Sequence, residues 1–368
     1  MQKVGIIGWR GMVGSVLLQR MQQEQDFDHF DAYFFTTSQQ GQTAPSIGQN
    51  TKLLLDANNL SELSKMDILI SCQGGSYTNK IFEPLRKKGW DGYWIDAAST
   101  LRMDKNSIIA LDPINLPHIE QGLQNGIKNF IGGNCTVSLM LLAIHGLLKA
   151  DLVKWISVMS YQAISGSGAA AMKELLRQQK YTLQDIDISD NILNIEEALR
   201  KKAQSAEFPK EVISQPLVAN LLPWIDSPMS SGQSKEEWKA MVEANKILDS
   251  SKEIAIDGTC VRVPSLRSHS QALTVKLKKK IPLEEIEALI RSANPWVKLV
   301  ENNKDDTLNQ LTPAAVSGTL DIAVGRVRKS LLGDKYLNIF TVGDQLLWGA
   351  AEPLRRMLQI ILSQEKEY

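Results

Sequence analysis

Cys135 follows Gly132-Gly133-Asn134 and opens an apolar run at helical spacing over 137–148. At a helix start, free backbone N–H groups and the positive end of the dipole favour a thiolate and lower the thiol pKa, as a nucleophile requires. The same position also suits a small packed residue, and the local pattern leaves both readings open. Cys72, closing an apolar strand pattern, and Cys260, inside an alternating one, read as buried packing residues. A second set of residues, Gly8-Trp9-Arg10-Gly11-Met12-Val13-Gly14, joins a short strand pattern to a helix pattern. Such glycines let a backbone approach a pyrophosphate at a helix N-terminus. A plain tight turn would use them too, but their place at the head of a βαβ pattern favours a dinucleotide. The next strand runs into Phe34-Phe35-Thr36-Thr37-Ser38 with no acid for a ribose 2′-hydroxyl. Arg10, Thr37 and Ser38 can donate to a 2′-phosphate, so NADP is expected over NAD.

A thiol beside a nicotinamide implies one kind of chemistry, in which a thiohemiacetal gives up hydride and becomes a thioester, or the reverse. The step needs an acid or base that works near neutral pH. Of the four histidines, His29 and His118 lie in polar, turn-like segments and His145 falls on the helix after Cys135. His269, in Arg267-Ser268-His269-Ser270-Gln271 just before a strand pattern, is the best candidate, although an exposed loop histidine would look the same. No metal is expected.

The elements that must position these residues alternate through the first third of the chain. Strand patterns at 4–7, 32–35, 67–72, 93–96 and 107–111, with a helix pattern at 14–21, predict a doubly wound, Rossmann-type α/β domain over 1–133. An α+β domain is expected over 134–343, its strands at 156–162, 259–263 and 271–277 forming a mixed or antiparallel sheet with one helical face. A polar stretch over 178–209 decorates it. Apolar residues at helical spacing over 344–363, with Pro353 at a first turn or kink, predict a helix that returns to the first domain. The length, 368 residues, suits about two domains of ordinary size. Lys plus Arg total 41 and Asp plus Glu total 41, so no field favours nucleic acid or an anionic membrane as partner. An odd count of three cysteines fits a reducing compartment. The longest apolar run, 137–144, is well short of the roughly 18 residues of a spanning helix, and no signal-peptide core precedes Arg10, so the cytoplasm is the expected location.

Five segments in order carry a resemblance: Gly8 to Gly14, Gly133-Asn134-Cys135-Thr136-Val137-Ser138, Trp238-Lys239 with Asn245-Lys246-Ile247-Leu248, Cys260-Val261-Arg262-Val263, and Gly343-Asp344-Gln345-Leu346-Leu347-Trp348-Gly349-Ala350. Together they resemble the bacterial aspartate-semialdehyde dehydrogenase family from Met1 to about Met357. The resemblance implies a two-domain architecture like that of glyceraldehyde-3-phosphate dehydrogenase, with the second domain both catalytic and dimerising, and a homodimer. It implies NADPH-dependent reduction of L-aspartyl 4-phosphate to L-aspartate 4-semialdehyde with release of phosphate, on the route to lysine, by way of diaminopimelate, and to threonine and methionine. Carried over by position, Cys135 is the nucleophile, His269 the acid/base and Gln162 the residue that orients substrate beside the thiol. Arg262 matches the clamp on the substrate carboxylate, a role suited to the planar guanidinium fork, and Glu236 the partner of its amino group. Arg102 and Lys239, with Asn134 beside them, match the phosphate site. The cofactor contacts are Arg10, Gly11, Met12, Val13, Thr37, Ser38, Gln73, Ser165, Gly166, Ser167, Gly168 and Gln345. Where the family often carries a basic pair after Gly168, this chain has Ala169-Ala170-Ala171.

Without the resemblance, Glu236, Lys239 and Glu243 would pass for a solvated helix face with weak ion pairs. Arg262 is harder to dismiss, since it interrupts an apolar strand between Val261 and Val263. The rival enzyme is another acyl-phosphate reductase, such as N-acetyl-glutamyl-phosphate reductase or glyceraldehyde-3-phosphate dehydrogenase. Glu236 disfavours the former, whose substrate has no ammonium. The rival from another class is a non-catalytic NADPH sensor with Cys135 as redox switch, disfavoured because no resolving thiol lies nearby in sequence.

Overall fold

The computed structural model describes residues 1–47 and 53–364. Seven short strands, β1 (Lys3–Ile7), β2 (Asp31–Thr36), β3 (Leu55–Asp56), β4 (Ile68–Ser71), β5 (Tyr93–Asp96), β6 (Ser107–Ala110) and β7 (Asn129–Gly132), form a wholly parallel sheet in the order β3-β2-β1-β4-β5-β7-β6. Their near-continuous apolar runs arise because both faces are covered. Val4, Ile6, Ile68 and Ile70 enter one core with Leu17 and Met21 of the Met12–Gln23 helix. Their alternating neighbours Ile7 and Leu69 enter another with Ile81 and Leu85 of the Gly75–Lys87 helix. Strand order reverses between β1 and β4, and the crevice beyond their carboxyl ends is where such sheets bind ligands. The very short β3 carries no pattern long enough to read, and β7 merges with the glycines that follow it.

Six strands, β8 (Val153–Ala163), β9 (Ala255–Val263), β10 (His269–Leu277), β11 (Val297–Leu299), β12 (Ile322–Ser330) and β13 (Gly333–Gly343), form a second sheet in the order β11-β12-β13-β10-β8-β9. It is mixed, with β8 parallel to β9 and β11 to β12 and the other pairs antiparallel. The Cys135–Lys149, Lys235–Leu248 and Leu283–Arg291 helices cover one face through a core that includes Leu141, Ile144, Ile247, Leu273, Val275 and Ile286. A capping box fixes the start of the Lys235–Leu248 helix, Ser234 accepting from Glu237 N while the Glu237 carboxylate accepts from Ser234 N. On the opposite face Met159 and Tyr161 are exposed, with the Tyr161 ring stacked on Phe340 at 6.4 Å.

A single helix over 344–363 is not what forms. A wide π-type turn at Leu347–Ala351 precedes the α-helix Glu352–Gln364, and Pro353 falls in the first turn of that helix, where its missing N–H breaks no intrahelical bond. This helix does return to the first sheet: Leu354, Met357, Leu358 and Ile361 share the core of Val4 and Ile6. Ion pairs help to fasten it there, among them Arg20 with Glu352 at 3.0 Å, Arg355 with Asp26 at 2.9 Å and Arg356 with Asp112 at 2.5 Å. Within 178–209 the chain forms the end of the Ala169–Leu183 helix and a further helix at Ile192–Ala203. His118 is helical, within Asp112–Gln124, and its Nδ1 lies 2.9 Å from Asp249. Among the described residues no helix is long and apolar enough to cross a membrane.

Candidate active site

The loop after β1 lies at the reversal in strand order and lines a cavity of about 290 Å3 with Arg10, Gly11, Thr36, Thr37 and Gln73. Gly8 adopts φ +75°, and a Cβ there would stand 2.6 Å from the Cys72 carbonyl carbon; at Gly14 a Cβ would stand 2.3 Å from Gly8 O. The loop must therefore be bare backbone packed directly on its own helix. Gly11 caps the Met12–Gln23 helix without a side chain, which leaves the first-turn N–H groups for a ligand. Arg10 Nη2 donates to Ser38 Oγ at 3.1 Å and Thr36 Oγ1 at 3.4 Å, so a cation and hydroxyls meet at the end of β2. Bare glycine backbone, open N–H groups and this cation together fit an anionic dinucleotide.

A second cavity, of about 410 Å3, opens between the sheets, and Val13 from the glycine loop forms part of its wall. Asn134 caps the Cys135–Lys149 helix by accepting from Thr136 N and Val137 N, which sets Cys135 at the first helical position, facing the cavity. His269, at the start of β10 and nearly inaccessible, places Nε2 3.3 Å from Cys135 Sγ. Ala163 N donates to His269 Nδ1 at 3.1 Å. That bond assigns the proton of the neutral ring to Nε2, where it points at sulfur.

The remaining polar groups are buried and interlocked. Glu236 Oε1 accepts from Asn134 Nδ2 at 2.9 Å and Gln162 Nε2 at 3.3 Å, while Oε2 accepts from Lys239 Nζ at 3.0 Å. Lys239 also donates to Asp226 Oδ2 at 2.7 Å. Arg102 donates from Nε to Gly132 O at 2.7 Å, from Nη2 to Gly133 O at 3.1 Å, and from Nη1 to Glu243 Oε1 at 3.1 Å. Glu243 also accepts from Asn134 N at 2.8 Å. Arg262 Nη1 donates to Ala163 O at 2.7 Å. Gln345 ties the C-terminal segment into the wall, accepting from Ser268 N at 2.7 Å and donating to Ser165 Oγ.

Protonation follows from this burial. The expectation that the helix start lowers the Cys135 pKa is overturned: burial, then the charge of Glu236, push the thiol up to about 12, outweighing the opposing effects of Arg102, Arg262 and the Thr136 N–H. Burial, then Arg262, push His269 down to about 3. The resting pair is a neutral thiol and a neutral imidazole. Burial also raises the Glu236 carboxyl, but Lys239 and the bonds from Asn134 and Gln162 hold it below its usual range, so it stays ionised. A prediction follows for the free protein. Iodoacetamide labelling assigned to Cys135 by comparison with Cys135→Ala should stay slow until the pH exceeds the ordinary thiol value of 9.0. Glu236→Gln should move that midpoint down, because it removes the largest charge opposing the thiolate. An unchanged midpoint in the variant would show that Glu236 does not set thiol acidity.

Arg102, Asn134, Cys135, Gln162, Glu236, Lys239 and Arg262 thus meet at one cavity, with Ser165, Gly166, Ser167 and Gln345 on its wall and His269 behind the thiol. Arg10, Gly11, Thr37 and Gln73 line the other; Met12 opens the adjacent helix, and Ser38 bonds Arg10. Gly168 turns the chain with φ +90° into the Ala169–Leu183 helix. Cys72 is less buried than its strand suggested, since it lines the dinucleotide-type cavity. Glu236, Lys239 and Glu243 are not a solvated face: all three are buried. Sequence reasoning missed Asp226, which sits in an irregular segment at φ +73° with no periodic signal around it. It also missed Glu243 as the partner of Arg102, although spacing put it on the face of Glu236 and Lys239.

Residues 3–122 match the family described as "Semialdehyde dehydrogenase, NAD binding domain", and residues 144–348 match "Semialdehyde dehydrogenase, dimerisation domain". A solved aspartate semialdehyde dehydrogenase from Francisella tularensis is 58% identical, with a TM-score of 0.96 over 98% of this chain and 100% of that one. At 24% identity, aspartate semialdehyde dehydrogenase II from Vibrio cholerae, solved complexed with ASA, gives a TM-score of 0.81 over 99% of this chain and 98% of that one. The enzyme from Candida albicans solved with NADP is 14% identical, with a TM-score of 0.65 over 99% of each chain. At these last two identities the likeness is one of fold.

Proposed function

The chain belongs to the semialdehyde dehydrogenase family, and on that premise we propose that it reduces L-aspartyl 4-phosphate to L-aspartate 4-semialdehyde with NADPH, releasing phosphate. The observation that carries this reading is a helix-start thiol 3.3 Å from an imidazole, in one cavity with a guanidinium, a carboxylate and two further cations. A substrate bearing a carboxylate, an ammonium and an acyl phosphate presents the complementary charges to Arg262, to Glu236 and to Arg102 with Lys239. Arg10, Gly11, Met12, Val13, Thr37, Ser38, Gln73, Ser165 to Gly168 and Gln345 would hold the dinucleotide. The end of β2, Phe34-Phe35-Thr36-Thr37-Ser38, carries no acid in sequence, and this favours NADP over NAD.

In the proposed sequence the Cys135 Sγ–acyl bond forms as the C–O bond to phosphate breaks, and the thiol proton ends on the departing phosphate. Asn134 and Gln162 hold Glu236 in place, and substrate ammonium on Glu236 offsets the largest charge opposing the thiolate. Substrate carboxylate on Arg262 offsets the charge that depresses His269. When bound, the nicotinamide supplies the hydride that reduces the thioester carbonyl. His269 Nε2–H then stabilises the developing oxygen charge, and a proton taken up from solvent and passed through His269 restores the thiol as the aldehyde leaves. Nothing in this scheme draws on the Ala169 to Ala171 segment.

The uncovered face of the second sheet, with Met159, Tyr161 and Phe340, supports a homodimer formed there. Sedimentation as a monomer at micromolar concentration would overturn it. The activity is tested by phosphate-dependent reduction of NADP with L-aspartate 4-semialdehyde, read by nicotinamide absorbance, with NAD as comparator. Turnover that requires phosphate and favours NADP is the expected outcome. A folded, NADPH-binding protein without turnover would sink the substrate assignment, and equal use of NAD would sink the reading of Arg10, Thr37 and Ser38. Placement in lysine, threonine and methionine synthesis follows from the product and stands or falls with it.

A further inference from the structure

Both cations assigned to phosphate are already answered by carboxylates. Arg102 has each guanidinium nitrogen engaged, Nε by Gly132 O, Nη1 by both Glu243 oxygens and Nη2 by Ala97 O and Gly133 O. Lys239 gives two of its three N–H groups to Glu236 and Asp226. Those two carboxylates are not equivalent. Glu236 is 6% exposed and is also held by Asn134 and Gln162. The Asp226 side chain is 34% exposed, and its Oδ2 bonds Lys239 while its Oδ1 accepts from Ser227 N at 2.7 Å. It also lines the catalytic cavity.

We propose that Asp226 is a stand-in anion: its carboxylate occupies on Lys239 the place a phosphate oxygen takes, so phosphate affinity is set by competition between the two. This rests on the reading of Lys239 as a phosphate ligand. Among the arms that hold Lys239, the one to Asp226 is the arm able to open, because its carboxylate is otherwise held only by the N–H of the adjacent Ser227 and reaches solvent, whereas Glu236 is buried and bonded to Asn134 and Gln162 as well as to Lys239. Lys239 stays paired in both states, and a buried ammonium is never left uncompensated. Release of phosphate is assisted in the same way, since Asp226 returns as phosphate departs. Asp226 is a positioning residue in this scheme.

Asp226→Asn separates competition from support. Asparagine tolerates φ +73° at least as well as aspartate and keeps an oxygen for Ser227 N, so the turn is preserved while the charge is lost. Inorganic phosphate titrated calorimetrically into the substrate-free full chain is expected to bind roughly 1.5- to fivefold more tightly in Asp226→Asn, the range for one partly exposed ion pair. The KM for phosphate in NADP reduction should fall by the same factor without a rise in kcat, and Asp226→Glu should restore both values toward wild type. A merely supporting aspartate would do the opposite, loosening Lys239 and raising the KM. Unchanged or weaker phosphate binding in Asp226→Asn, or no phosphate binding by either protein, overturns the proposal. If wild type binds phosphate but does not couple it to NADP reduction, the assigned reaction fails while the calorimetry still decides the role of Asp226.

Discussion

Cys135→Ala should lose roughly 10⁴-fold or more in turnover while still binding NADPH. The size of the loss follows from what the thiol does in the proposed route: without Sγ no thioester forms, and hydride would have to reach an acyl phosphate that nothing holds covalently. Cys135→Ser should be nearly as inactive, because a hydroxyl is a far weaker nucleophile and His269, held neutral with its proton on Nε2, is poorly disposed to deprotonate it. The dinucleotide-type cavity is lined by Gly8, Arg10, Thr37 and Gln73, not by Cys135, so NADPH titration of the variants should match wild type. Activity within tenfold of wild type in a folded Cys135→Ala protein would mean that the thioester route is wrong.

Glu243→Ala should be the most damaging single change to stability among the site residues, costing about 3–5 kcal/mol. It strips the carboxylate from the Arg102 guanidinium and from Asn134 N, both of them buried. Glu243→Gln keeps an acceptor for one of them and should cost less. Arg102→Leu combined with Glu243→Leu should recover part of the loss, since no orphaned charge remains, although Gly132 O and Gly133 O lose their donor. Urea unfolding at unchanged m-value reads these differences. A loss below about 1 kcal/mol in Glu243→Ala would mean that the pair is solvated as an ordinary surface bridge.

The glycine loop and the Cys135 helix were legible because the information is local. Gly8 to Gly14 specify their own backbone, and Asn134 caps the Cys135–Lys149 helix through the N–H groups of Thr136 and Val137 in its first turn, whatever packs around it. Arg262 could be suspected for a similar reason, a charge between two valines of one strand. The polar lock of the cavity was not legible. Glu236, Lys239 and Glu243 announce a shared helix face, but what covers that face includes Arg102 and Asn134, which lie more than a hundred residues earlier. Thiol acidity failed for the same reason: the dipole is written in the local sequence, and the burial and the Glu236 charge that overcome it are not. The strands β12 and β13 escaped because their pairing is irregular, with register shifts after Gly325 and Lys329 and Arg326 at φ +52°. β11, at three residues, is too short to carry a period.

The helix Glu352–Gln364 completes a core begun by β1 and β4, and every residue from 133 to 351 is made between them. On a ribosome adding about 5–20 residues per second, the first sheet therefore waits roughly ten to forty seconds with the positions of Leu354, Met357 and Leu358 unfilled. During that interval the part of the Val4 and Ile6 core that Leu354, Met357, Leu358 and Ile361 cover stays open as apolar surface. Birth order and burial order are thus reversed in this protein, and its nascent first domain is the segment expected to need a chaperone.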